Sequence, residues 1–192
     1  MTKMNKAKII SNWEAERILR FLPKADGLIF RLSIETGLRI SDILDLRAWY
    51  LGKIMYVREK KTGKIRIVEL SDALIGELQP LKDEALRNED KQIYAFPSSR
   101  TPDKHLHRST YHRHLKRAAK HALCECSAHS GRKLYAKNVF NETKSIAEVQ
   151  KSLNHKYITT TATYLGVDLV ELLTMWEEVQ NSTNKTIHRL IN

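Results

Sequence analysis

The residues of this chain best suited to chemistry are a tyrosine, two histidines and two arginines at set spacings. In Asn154-His155-Lys156-Tyr157-Ile158-Thr159-Thr160-Thr161-Ala162-Thr163-Tyr164, a tyrosine follows a histidine by nine residues across a threonine-rich run. Upstream, Ala128-His129-Ser130-Gly131-Arg132 holds a His-x-x-Arg, a spacing that puts His129 and Arg132 on one face of a helix. A third element, Thr36-Gly37-Leu38-Arg39-Ile40-Ser41-Asp42, lies far to the N-terminal side. The chemistry these side chains suit is phosphoryl transfer. Guanidinium groups fork onto phosphate oxygens with fixed geometry. Imidazoles donate to the same oxygens or move a proton, and a tyrosine hydroxyl can attack phosphorus covalently.

The order and spacing resemble those of the tyrosine recombinases, the family of phage integrases, Xer proteins and Cre. The family's pattern is Arg, Lys, His-x-x-Arg, His or Trp, then Tyr. Here it reads Arg39, Lys61, His129, Arg132, His155 and Tyr164, and the resemblance spans about residues 11 to 180. It implies that Tyr164 attacks the scissile phosphate, leaving a 3′-phosphotyrosine and a free 5′-hydroxyl. Arg39 and Arg132 would bind the non-bridging oxygens, His155 would donate a further hydrogen bond, and His129 would serve as base or phosphate ligand. A lysine on a β-hairpin would act as general acid. The match of Lys61-Thr62-Gly63 selects Lys61, with Lys60 and Lys64 as substitutes. One phosphodiester is exchanged for another, so no metal, nucleotide or other cofactor is expected.

Several positions depart from the family pattern. Asp42, three residues after Arg39 and placed to hold its guanidinium or a neighbouring group, stands where the family more often has Glu. Lys133 stands where His is frequent, Asn154 where Gly is usual, and Ser130-Gly131 is an awkward filling for a helical motif. Most relatives carry a helical DNA-clamping domain before the catalytic one. Here only residues 1–10 precede it, so the chain is expected to be a natural single-domain form, similar to compact fimbrial phase-switch invertases, or a fragment. Two other functions use the same features: a DNA-binding regulator with a relic site, and a relaxing topoisomerase of type IB.

Charge agrees with a polyanionic partner. Lys and Arg number 33 against 22 Asp and Glu, a formal +11. No apolar run approaches the roughly 20 residues needed to span a bilayer, and no signal peptide opens the chain. Cys124 and Cys126 are separated by one residue, too close for an unstrained disulfide, and read as reduced, part-buried thiols of a cytosolic protein. The expected location is the cytoplasm of a bacterium, with a phage or mobile element as an alternative source. The expected partner is double-stranded DNA, bound by a homo-oligomer (dimer or tetramer), with accessory DNA-bending proteins possible and no membrane involved.

The elements that must position these groups give a mainly helical α+β domain with a small antiparallel three-stranded sheet. Residues 1–10 form a flexible basic arm, 11–180 the catalytic domain and 181–192 a loose tail. Ser11 and Glu14 make a capping box for a first helix. A second helix runs from about Ala25 to Glu35, with Gly37 at its left-handed cap, and a short helix follows from Arg39. Residues 53–59 and 65–70 form a hairpin, and 93–96 a third strand. Ser71 caps a helix expected to be interrupted at Pro80. The segment from Arg108 to Leu123 is helical and carries Arg108, Arg113, Lys116, Arg117 and Lys120 without an acid. Such a face is solvated or lies against phosphates, and a basic protein favours the second. Histidines 107, 112, 114 and 121 lack the companions of a metal site. Helices over 129–141 and from Ser145 lead to His155. The helix over 168–180, with Leu169, Leu172, Leu173, Trp176 and Val179, either packs on its own core or docks on a neighbouring protomer.

Overall fold

The computed structural model describes residues 9–89, 93–167 and 174. By their contacts these fall into two compact units, one up to Asn138 and one from Val139 on. The helices α1 (Asn12–Leu19), α2 (Lys24–Thr36) and α3 (Ile40–Leu44) come first, then a short 3-10 turn over Ala48–Tyr50. A hairpin of β1 (Ile54–Arg58) and β2 (Ile65–Glu69) leads to α4 (Asp72–Arg87), α5 (Arg108–His121), α6 (Ser130–Thr143), α7 (Ile146–Ser152) and α8 (Ile158–Leu165).

In the first unit α2 is the central element, packed against α3, α4 and α5. Ile29, Phe30, Leu32, Ile43, Leu44, Tyr111 and Leu115 are fully buried around it. Each such aliphatic or aromatic side chain contributes about 1.5–3 kcal/mol on burial. A polar contact joins two helices within this core: His114 of α5 meets the buried Asp26 carboxylate of α2, Nδ1 to Oδ2, at 2.7 Å. In the second unit α7 and α8 pack together over Val149, Leu153 and Ala162.

Local rules account for the helix ends. Ser11 and Glu14 form the expected reciprocal capping box. Gly37 closes α2 at φ 62°, and a Cβ there would also collide with the Tyr135 ring. Helix α7 ends in a Schellman motif: Asn154 adopts φ 55° and donates to Lys151, while the His155 amide donates to the Gln150 carbonyl at 3.0 Å. Helix α8 ends the same way at Gly166, φ 77°.

Two expectations are corrected. The sheet has two strands among the described residues, not three. Residues 93–96 make only an isolated bridge, Arg47 to Tyr94, because the opposing segment turns at once into the 3-10 helix at Ala48. Pro80 does not interrupt α4. It and Gly76, whose carbonyl loses its partner, are both exposed to water, while Leu74, Leu78 and Ala85 keep one side of the helix buried on either side of the proline. Ile10, inside the range expected for the arm, is fully buried in the core. Residues 1–8, the helix expected over 168–180 and the tail over 181–192 lie outside the described residues.

Candidate active site

The turn between α2 and α3 carries the first guanidinium. Arg39 lies at the N-terminal boundary of α3, with its Nη1 3.0 Å from Glu59 Oε2 and 3.9 Å from Asp42 Oδ2. Asp42 is therefore the more distant of its two carboxylate neighbours. Its Oδ1 instead accepts the Lys60 backbone amide at 3.1 Å, tying α3 to the hairpin. Glu59, at the end of β1, is fully buried and also accepts the Thr62 hydroxyl at 2.8 Å. Burial alone pushes its carboxyl up. The Thr62 and Arg39 hydrogen bonds, with the fields of Arg39 and Arg132, outweigh this and leave it below its ordinary value.

Arg132 is the largest of the fully buried side chains. It projects from the first turn of α6 and donates to the Gly37 carbonyl. Arg66 of β2 donates to the same carbonyl at 3.2 Å and to that of Thr36. The carbonyl end of α2, where the helix dipole is negative, thus anchors two guanidiniums. Close approach explains the glycine in His-Ser-Gly-Arg: a Cβ on Gly131 would lie 2.8 Å from Ser33 Oγ and 2.9 Å from Ser33 Cβ.

His129 immediately precedes α6, its carbonyl accepting the Lys133 amide, and is exposed. Partial desolvation of its ring lowers its pKa, and the cations Arg108, Arg132, Lys133 and Arg39 act in the same direction. Both effects favour the neutral imidazole. Lys61 sits exposed at the hairpin tip, whereas Lys60 is engaged with Asp45 at 2.8 Å. In the second unit, His155 and Tyr164 meet edge to face, centroids 5.4 Å apart with ring planes at 74°. His155 Nδ1 is 3.1 Å from the Thr161 hydroxyl.

On α5, Arg108, Arg113, Lys116, Arg117 and Lys120 are all exposed, while Tyr111, Leu115 and Ala118 face inward. Four of these cations line one open groove that also reaches Cys126 and Ser130. Neither cysteine is in a disulfide and both are half-buried, and burial pushes the Cys126 thiol up to about 11. Among the described residues no group of three His, Cys, Asp or Glu side chains is placed to hold a metal ion. Nor is any helix there long and apolar enough to cross a membrane.

Residues 8–169 match the phage integrase family. The chain belongs to that family. Among curated members it is 33% identical to the probable integrase/recombinase YoeC of Bacillus subtilis (strain 168), over 81% of this chain and 84% of YoeC. It spans only 46% and 57% of two further curated tyrosine recombinases. A crystal structure of XerA recombinase superposes with a TM-score of 0.71 at 24% identity, covering 89% of this chain and 64% of that one. A lambda integrase dimer bound to a COC′ core site gives 0.61 at 22% identity, over 82% and 58%. The fold is thus that of a tyrosine recombinase catalytic domain.

Within this family fold, the first unit brings Arg39, Arg132 and the base of the Lys61 hairpin around Glu59, with His129 nearby, and the second brings His155 against Tyr164. Sequence reasoning missed Glu59, Arg66 and Thr161. Glu59 directly precedes the lysine pair of the hairpin, and an acid there, pointing inward by strand alternation, was the available signal. Arg66 and Thr161 gave none beyond their types.

Proposed function

We propose that this chain cleaves and rejoins DNA at specific sites through a 3′-phosphotyrosyl intermediate on Tyr164. The observation that carries the reading is the anchoring of Arg39 and Arg132 in one buried cluster around Glu59 and the Gly37 carbonyl. Guanidiniums preorganised in this way cost no reorganisation when charge develops on the phosphate. The Tyr164 oxygen attacks phosphorus as the P–O5′ bond breaks. His129 takes the phenolic proton or binds the phosphate, and Lys61 protonates the departing 5′-oxygen. His155 donates to a non-bridging oxygen. Attack by a 5′-hydroxyl on the phosphotyrosine reverses these steps and joins the new strand.

The DNA is held as a duplex by Arg108, Arg113, Lys116, Arg117 and Lys120 of α5. The dimer named for lambda integrase supports self-association on DNA. The proposed assembly is a dimer or a tetramer in contact through residues 168–180, with DNA-bending proteins as accessories. The setting is the cytoplasm of a bacterium or of a phage-infected cell.

The test uses supercoiled plasmid with and without the DNA that flanks the coding sequence. Strand exchange confined to the plasmid with flanking DNA supports the proposal. Relaxation of both plasmids alike would indicate a topoisomerase, and binding without cleavage a regulator.

A further inference from the structure

We infer that Thr161 is a positioning residue: its hydroxyl donates to His155 Nδ1 and keeps the imidazole proton on Nε2. Of the four threonines in the run, Thr159, Thr160 and Thr163 are exposed, and Thr163 spends its hydroxyl on the Thr159 carbonyl at 2.9 Å. Thr161 is fully buried, with its oxygen 3.1 Å from His155 Nδ1. The His155 backbone is already fixed, since its amide donates to Gln150 and its carbonyl accepts the Gln150 side-chain amide at 3.2 Å. Tyr164 bounds the ring edge to face.

What these contacts leave open is the tautomer. A neutral imidazole has one N–H, and whichever nitrogen faces Thr161 must match a hydroxyl that can either give or accept. The choice rests on the reading above, in which His155 donates to the phosphate. With Nδ1 against Thr161, that reading assigns the task to Nε2, which then carries the proton. Nδ1 is then an acceptor and Thr161 the donor. The buried threonine thereby sets the hydrogen-bonding role of the histidine as well as its orientation.

The tautomer is measured by nitrogen-15 NMR of the intact, histidine-labelled chain at about pH 8, above the ordinary imidazole range. The His155 signals are assigned by their loss in His155→Ala. We expect a protonated Nε2 and a hydrogen-bonded, unprotonated Nδ1. Thr161→Val should move Nδ1 to the value of an unbonded acceptor, and Thr161→Ser should restore it. A proton on Nδ1 in the parent chain, or an Nδ1 signal unchanged by Thr161→Val, overturns the inference.

Cleavage of nicked duplexes tiled from the flanking DNA gives a second readout. Thr161→Val should slow it by about 3- to 10-fold, the span of one hydrogen bond, with recovery in Thr161→Ser. It should add nothing to His155→Ala, because Thr161 acts through that ring. A full added loss in the double variant would mean that Thr161 acts elsewhere, and overturns the inference. Unimpaired cleavage by His155→Ala would instead remove the donor role of His155, while the NMR result still decides what Thr161 does to the ring.

Discussion

Replacing Glu59 with Gln keeps the shape of the side chain and its bond from Thr62 but removes the charge opposite Arg39. The wild-type pair stands at 3.0 Å with Glu59 fully buried and the Arg39 side chain 18% exposed. At an effective dielectric near 20, unit charges at that distance attract by about 5 kcal/mol before desolvation is counted. Removing one partner of a buried pair typically costs 3–5 kcal/mol. The partial exposure of Arg39 places this pair at the lower end, about 3 kcal/mol. Asp42, at 3.9 Å, is too far to replace the lost contact fully. For a chain of this size the loss corresponds to a fall in Tm of about 6–12 °C.

The pH dependence has a definite sign. The folded-state pKa of Glu59 lies below its ordinary value of 4.5, so the folded chain binds fewer protons there than the unfolded chain. Its contribution is full above that ordinary value and is lost as pH falls through the folded-state value. Thermal unfolding of both proteins at neutral pH and down an acid series is the assay. The gap between them should be widest near neutrality and close at low pH. A variant as stable as the parent at pH 7, or a gap that widens on acidification, would refute the reasoning.

Three further outcomes are expected. Arg39→Ala and Arg132→Ala should each slow cleavage of the flanking duplexes by at least ~100-fold, the effect of losing one preorganised donor to a developing oxyanion; near-normal cleavage would remove that arginine from the site. The double variant Arg113→Ala with Arg117→Ala should flatten the dependence of log affinity on log salt by about two units, equally for specific and scrambled duplexes. An unchanged slope would make that face of α5 merely solvated. Gly131→Ala should destabilise by about 1–3 kcal/mol in denaturant unfolding, because its Cβ would press on Ser33, 2.8 Å from Oγ. The better helix propensity of Ala predicts the opposite sign, so a more stable variant would contradict the close-packing account.

What could be read from the sequence was what short-range rules control. The capping box at Ser11, the left-handed cap at Gly37 and the Lys-Thr-Gly turn each depend on a few adjacent residues. The spacing of Arg132, His155 and Tyr164 was legible in the same way, as was the exposed basic face of α5. What was missed depends on pairs distant in the chain. Asp42 looked like the partner of Arg39 because it is three residues away, yet Glu59, from another element, approaches more closely. Gly131 looked like a weak helical choice until Ser33 of α2 was seen against it. Residues 93–96 have strand-like composition, but a strand needs a ladder, and here only Tyr94 pairs, with the Arg47 guanidinium 3.5 Å from the centre of its ring.

The central claim is that Tyr164 is the nucleophile. It is tested most directly by trapping the protein on nicked duplexes from the flanking DNA and mapping the DNA-linked tyrosine by mass spectrometry. The chain has seven tyrosines. Tyr157 is the sharpest competitor, being 59% exposed with Lys156 Nζ 5.1 Å from its ring centre. An adduct is expected on the Tyr164 peptide alone, and it should disappear in Tyr164→Phe while duplex binding is kept. An adduct on Tyr157 or any other tyrosine, or one that persists in Tyr164→Phe, would contradict the claim.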